Sequence, residues 1–140
     1  MIDALLGVLE AEFGPGPEAG LLIECFETGI LRALAARTRI PLVQLIEAEG
    51  APYDWVARGE PGVFADFTTP AGLARIAAYA TCIGPEKSLV IGRDERDALG
   101  EPTALVPDSH AQGPAGDAVD VSSGERVSSG RGAQQRGGGR

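Results

Sequence analysis

Two short, almost continuously apolar runs constrain the fold more than any other feature of this chain. Residues 21–26 (Leu-Leu-Ile-Glu-Cys-Phe) and 42–46 (Leu-Val-Gln-Leu-Ile) are each long enough for a buried strand and too short for a helix. Strands without polar alternation are typical of sheets covered on both faces, as parallel sheets are. A third, shorter run lies at residues 81–83, and helical patterns separate the three. The sequence therefore predicts an α/β fold with about three parallel strands and flanking helices.

Helix boundaries are marked by residues that start or stop helices. Apolar residues at helical spacing over 2–13 predict a first helix, which the Gly and Pro residues at 14–17 end. Thr28 is predicted to cap a second helix. Thr69-Pro70 predicts the start of a third, and a last helix is expected over residues 102–113. The Gly- and Pro-containing stretch between the second strand and Thr69, residues 47–68, is predicted to be a long loop.

Three strands do not make a closed structure. They leave two open edges, which stable proteins avoid. A closed (β/α)8 barrel needs roughly 250 residues, and this chain has 140. We therefore expect the chain to be part of something larger.

The last segment of the chain has a different composition. Residues 1–113 carry a formal charge of −9, whereas residues 114–140 carry +1 and contain no Leu, Ile, Met or aromatic residue. Such a segment buries too little apolar surface to offset the backbone entropy lost on ordering. We predict that residues 114–140 form a disordered tail rich in Gly, Ser and Arg.

Composition excludes several classes of function. With 12 Lys+Arg against 20 Asp+Glu and 5% aromatic residues, the sequence argues against nucleic-acid binding. Its apolar runs fall short of the roughly 18 residues needed to span a bilayer, and the N-terminal residues have no basic region typical of a signal peptide. Cys25 and Cys82 are too far apart for a zinc motif, and we expect both to be small buried hydrophobic residues.

Four segments, in order, carry a family resemblance. They are Leu22-Ile-Glu-Cys-Phe-Glu27, the strand and loop at residues 42–54, Tyr79-Ala-Thr-Cys-Ile-Gly-Pro-Glu-Lys87, and residues 100–113 with His110-Ala-Gln-Gly113. Together they resemble the C-terminal half of a bacterial glycerophosphodiester phosphodiesterase. The resemblance covers residues 1–113 and implies part of a TIM (β/α)8 barrel that hydrolyses glycerophosphodiesters to glycerol 3-phosphate and an alcohol.

The resemblance also implies which chemistry this chain lacks. Members of the family use two histidines, an arginine and a divalent cation (calcium or magnesium) held by carboxylates, all on earlier strands. No matching segment occurs here, so we expect no catalytic residue and no cofactor in this chain, and an inactive fragment. Relatives of this type are often exported or periplasmic.

Three further interpretations stay open. One is a non-catalytic half that docks onto a separate N-terminal half, and another is an unrelated parallel-sheet binding module. The family's final strand is replaced by the tail, so a reading-frame change near residues 112–114 is a further hypothesis.

Four residues are candidates for substrate binding at strand ends. Phe26 is expected to pack on the glycerol carbons and Glu24 to order a polar pocket, or both are structural. Gln44, the one polar residue of its strand, needs a partner, either structural or in a substrate-facing network. Lys87 is placed to meet a phosphate, or is a solvated loop lysine.

Other polar segments have simpler interpretations. Tyr53-Asp54-Trp55 is expected either to form a lid or to fasten the loop to the body of the protein. His110 is expected to be a surface or helix-end residue. The charged run Asp94-Glu95-Arg96-Asp97 lacks the pattern of a calcium-binding loop, so we predict a solvated turn.

Overall fold

Three parallel strands form the centre of the structure, a computed structural model that describes residues 1–112 and the backbone of residues 120–121. The central strands are β1 (Ile23–Cys25), β2 (Leu42–Ile46) and β3 (Cys82–Pro85). The other described strands are β4 (Ile91–Arg93), β5 (Leu99–Pro102) and β6 (Asp120–Val121). The helices are α1 (Ile2–Phe13), α2 (Thr28–Ala35), α3 (Tyr53–Arg58), α4 (Pro70–Ala77), α5 (Lys87–Val90) and α6 (Leu105–Ala111), with 3-10 turns at Pro17–Ala19 and Phe64–Thr68.

The main sheet has the order β1-β2-β3-β6, and every pair of neighbours is parallel. Cys25 lies opposite Gln44, and Gln44 lies opposite Ile83. Strands β4 and β5 form a separate antiparallel pair. The predicted α/β fold with three parallel strands and flanking helices is confirmed.

The hydrophobic core lies between the sheet and its helices. One cluster of buried side chains joins α2, α4 and α6 to Leu42 and Ile46 of β2 and Ile83 of β3. Its members on these three helices are Leu31, Leu34, Leu73, Ile76 and Leu105, and Leu6 of α1 belongs to the same cluster. These helices therefore pack on the face of the sheet that carries Leu42 and Ile46.

Several predicted boundaries are confirmed by local geometry. Helix α1 ends before Gly14, whose φ of 95° suits glycine. The Thr69 hydroxyl accepts a hydrogen bond from the Gly72 N–H at 3.1 Å and caps α4, which begins at Pro70. Thr28, by contrast, does not cap α2: the N-cap is Glu27, and the Thr28 hydroxyl contacts Asp54 instead.

Other predicted boundaries are wrong, each for a local reason. Strand β3 runs through Gly84 and Pro85, because a proline at the end of a strand removes only one N–H. The last helix begins at Leu105, since Pro102 ends β5. Residues 47–68, predicted as one long loop, contain α3 and a 3-10 turn.

The segment after β3 contains elements that the sequence pattern did not predict. Strands β4 and β5 form a hairpin whose turn holds the charged run at residues 94–97. The Asp94 carboxylate accepts hydrogen bonds from the N–H groups of Arg96 (2.8 Å) and Ala98 (2.9 Å). The prediction of a solvated charged turn is confirmed.

Two sequence-based predictions concern the end of the chain. The disordered tail at 114–140 and the reading-frame change near residues 112–114 fall almost wholly outside the described residues. Within that segment the structure gives only the backbone of β6, which pairs with β3. No helix of the described residues is long and apolar enough to cross a membrane.

Candidate functional site

The candidate site is the edge of the sheet at which β1, β2 and β3 end. Parallel strands place their carboxyl ends on one side, and α/β proteins use that side for binding. Here this edge comprises residues 26–29, 47–49 and 86–87, and we call it the carboxyl edge. The Glu86 N–H donates to the Ile46 carbonyl at 2.8 Å, and the Glu86 carboxylate accepts from the Ala48 N–H at 3.1 Å. The ends of β2 and β3 are thereby tied together.

Gln44 joins the ends of β1 and β2 from within the core. Its side chain is fully buried. The amide nitrogen donates to the carbonyls of Phe26 (3.0 Å) and Leu45 (2.9 Å), and the amide oxygen accepts from the Tyr79 hydroxyl (2.7 Å). The structure thus provides Gln44 with protein partners, which fix the backbone of Phe26; a substrate-facing role of Gln44 remains a prediction.

The other three candidate residues occupy different places. Phe26 follows β1, is 39% exposed, and meets the ring of Phe64 edge-on with centroids 6.0 Å apart. Lys87 is exposed and begins α5, at the same edge of the sheet. Cys25 packs against the core on the same sheet face as Gln44, its partner in the register. Glu24, the residue before it, is exposed on the other face of the sheet. The structure therefore brings Phe26 and Gln44 into contact, places Lys87 on the carboxyl edge, and puts Glu24 on the other face.

A reciprocal capping arrangement holds α2 and α3 together beside this edge. The Asp54 carboxylate accepts a hydrogen bond from the Gly29 N–H of α2 at 2.8 Å. The Glu27 carboxylate accepts from the Asp54 N–H of α3 at 2.5 Å. Each carboxylate thus serves a free N–H in the first turn of the other helix. The two residues are 27 positions apart, so no capping pattern in the sequence revealed the pair.

The Asp54 carboxylate is also held by side chains. Its Oδ2 lies 3.1 Å from the Arg58 guanidinium and accepts from the Thr28 hydroxyl at 3.3 Å. Burial acts to raise the pKa of Asp54, but the hydrogen bond from the Gly29 N–H, and then that from the Arg58 guanidinium, outweigh it and lower the pKa. Asp54 is therefore a structural carboxylate that stays ionised.

Trp55 fastens α3 to the body of the protein. Its indole N–H donates to the Thr28 hydroxyl at 2.8 Å, and its ring meets Phe67 edge-on at 5.1 Å between centroids. Tyr53, in contrast, is 73% exposed. Of the two interpretations of this segment, Trp55 fits the one in which the loop is fastened to the body.

Tyr79 is a further member of this network that sequence reasoning missed. Burial raises the pKa of its hydroxyl to about 12. The Arg32 guanidinium lies 4.9 Å from the centre of its ring, a cation–π contact. A tyrosine after a helix carries no sequence signal that it hydrogen-bonds an amide 35 positions earlier.

The carboxyl edge is acidic apart from Lys87. Glu27, Glu47, Glu49 and Glu86 all follow the three strands. Hydrogen bonds from the Ser88 hydroxyl and then from the Ala48 N–H lower the pKa of Glu86. An anion at this edge is therefore attracted by the Lys87 ammonium group and repelled by the neighbouring carboxylates.

The described residues do not fit a metal centre. Among them no group of three His, Cys, Asp or Glu side chains is arranged to hold an ion. Cys25 and Cys82 form no disulfide and are half-buried, not buried as expected; Cys25 lies in β1, at the edge of the sheet. His110 lies exposed in the last turn of α6, as predicted. The divalent cation implied by the family resemblance has no such site in the described part of the chain.

Comparison with known proteins does not assign the chain to a family. No protein-family model matches the chain, and no curated protein matches it.

Proposed function

We propose that this chain forms the substrate-binding C-terminal part of a glycerophosphodiester phosphodiesterase-like (β/α)8 barrel. The observation that carries the proposal is the order of the strands. The four strands of the main sheet lie side by side in the order in which they occur along the chain, β1, β2, β3 and β6. Doubly wound sheets reverse their order at a switch point, whereas barrels continue in one direction.

The two faces of the sheet support the same architecture. Right-handed crossovers in sequential order leave all helices on one face, in agreement with the core that joins α2, α4 and α6 to one side of β2. The opposite face carries Glu24, Val43, Leu45, Cys82 and Gly84. A Cβ on Gly84 would lie 2.7 Å from the Leu45 side chain, so this face is packed closely with small and branched residues. Such a face suits the filled interior of an eight-stranded barrel.

The residues that resemble family motifs give the edge its proposed chemistry. Phe26 offers an apolar ring for the glycerol carbons, with its backbone fixed by Gln44. Lys87 attracts the phosphate by charge. The chain contains one histidine, His110 on α6, so a pair of imidazoles for acid–base chemistry has to come from elsewhere. We therefore assign binding, and not catalysis, to this chain.

Binding of sn-glycerol 3-phosphate tests the proposal. Saturation-transfer NMR should detect binding with a Kd on the order of 1 mM, weakened several-fold in Phe26→Ala and Lys87→Gln. Arg96→Gln, a charge removed from the exposed hairpin turn, is the matched control and should bind like wild type. Equal binding by Lys87→Gln and wild type would contradict the assignment. With glycerophosphocholine and calcium or magnesium we expect no turnover, and clear hydrolysis by the chain alone would overturn the inactive assignment.

The open edge of β1 favours a second candidate function, that of a non-catalytic half of a split barrel. Strand β1 pairs only with β2 among the described residues. The test is to mix the chain with the separately produced N-terminal half of a glycerophosphodiester phosphodiesterase. Hydrolysis that neither half performs alone would support this function, and no association on mixing would reject it.

A further inference from the structure

The free edge of β1 has hydrogen-bonding groups that face away from the sheet. The Ile23 N–H donates to the Pro41 carbonyl at 3.0 Å, on the β2 side. In a parallel ladder alternate residues bond to alternate sides, so the N–H and C=O of Glu24 point to the free edge. The segment around β1 has no proline or lysine, the residues that most often blunt exposed edges.

Exposed apolar side chains flank the same edge. Leu22, just before β1, is 50% exposed, and Phe26, just after it, is 39% exposed. Glu24 lies between them and is also exposed. Among the described residues, the edge therefore combines backbone groups that have no sheet partner with apolar surface, as a docking site for another strand does.

The opposite end of the sheet offers the matching edge. Strand β6 pairs with β3 alone among the described residues, and it is parallel to the other strands of the main sheet. A two-fold axis parallel to the strands keeps their direction unchanged. Rotation about such an axis brings β1 of one chain beside β6 of a second chain, and β6 of the first beside β1 of the second.

We propose that a second copy of this chain docks on the free edge of β1 and closes an eight-stranded parallel barrel with it. Four strands of the main sheet from each copy supply the eight that fill a closed barrel with side chains. The same chain presents both complementary edges, so one isologous arrangement covers both edges at once and does not propagate into a filament. An antiparallel β1–β1 contact would leave β6 and the inner face of the sheet uncovered.

The side chain of Glu24 gives the dimer a recognisable signature. It lies on the face opposite the helices, so closure places one Glu24 carboxylate from each copy on the interior side of the barrel. Burial of like charges disfavours this state. Glu24→Gln removes that cost and keeps the backbone N–H, whereas Glu24→Pro removes both the charge and the N–H that faces the second copy.

Sedimentation velocity on the full chain tests the proposal. Between about 1 and 100 μM protein, the wild type should shift from a monomer to a species of twice its 14.4 kDa. Glu24→Gln should dimerise more tightly, and Glu24→Pro should weaken the dimer at least about tenfold while its circular dichroism stays that of the wild-type monomer. A wild-type chain that stays monomeric at the highest concentration, or a Glu24→Pro chain that dimerises as well as Glu24→Gln, would overturn it.

Amide hydrogen exchange covers the case in which Glu24→Pro does not fold. In the wild type, protection of the Glu24 N–H should rise with protein concentration, whereas that of the Leu5 N–H, which donates to the Met1 carbonyl within α1, should not. Concentration-independent exchange at Glu24 would contradict the interface. This inference rests on the barrel architecture of the proposed function but not on its ligand. A chain that fails to dimerise can still bind glycerol 3-phosphate, and a chain that fails to bind glycerol 3-phosphate can still dimerise, so the two failures are distinguishable.

Discussion

Asp54→Ala is expected to be among the most destabilising single changes at the surface of this protein. It removes the acceptor of the Gly29 N–H in the first turn of α2 and leaves that part-buried donor without its partner. Losing a helix cap costs about 1 kcal/mol, and an unsatisfied buried donor costs about 1–3 kcal/mol. Both costs concern the Gly29 N–H, so they overlap and are not added in full. We therefore expect a loss of about 2 kcal/mol in the free energy of unfolding, or about 8 °C in Tm.

Urea denaturation followed by circular dichroism measures this effect. The matched control is Glu95→Ala in the exposed hairpin turn, which should change the free energy of unfolding by less than about 0.5 kcal/mol. A double-mutant cycle with Glu27→Ala should give a coupling of about 1 kcal/mol, since each carboxylate caps the helix of the other. An Asp54→Ala variant as stable as Glu95→Ala, or additive effects of the two substitutions, would refute reciprocal capping.

Three further predictions follow from the same contacts. The pKa of Asp54 is lowered in the folded state, so the ionised carboxylate stabilises the fold. The stability advantage of wild type over Asp54→Asn should be present at pH 7 and be lost as the pH falls through that lowered pKa. An advantage that does not change with pH in urea denaturation would reject this prediction. In an ultraviolet titration, the Tyr79 hydroxyl should ionise near its raised pKa of about 12, and ionisation of Tyr79 in the ordinary range of a tyrosine would show that its hydroxyl is not buried. Gly72→Ala should lower the melting temperature although alanine favours helices, because its Cβ would clash with the Asp66 carbonyl. Gly7→Ala in α1, which meets no atom within 4 Å, is its control and should stabilise by up to about 1 kcal/mol.

The sequence predicted the main sheet because that information is local. Residues 42–46 are apolar over the length of β2, and the structure gives β2 those same bounds. Thr69-Pro70 marks the start of α4 for the same reason, since an N-cap and a proline act within one turn. Both signals depend on near neighbours in the chain.

The site depended on contacts that no local pattern encodes. The sequence places Asp54 between two aromatic residues of a predicted loop, yet its carboxylate caps a helix that begins 26 positions earlier. The sequence predicts that Gln44 needs a partner but not which residue it is, because Tyr79 follows α4, 35 positions later in the chain. The hairpin of β4 and β5 was missed because its strands are short and largely exposed, which gives them no apolar periodicity.

The central claim is that the carboxyl edge of this sheet binds a glycerol phosphate, and residue-resolved NMR tests it most directly. In a titration of the isotope-labelled chain with sn-glycerol 3-phosphate, amide shifts should concentrate at the carboxyl edge, at residues 26–29, 47–49 and 86–87. The amide signals at the amino ends of the same strands, at residues 42 and 82, should stay unchanged. Shifts that cluster at the amino ends, or none up to a concentration well above about 1 mM, would contradict the claim.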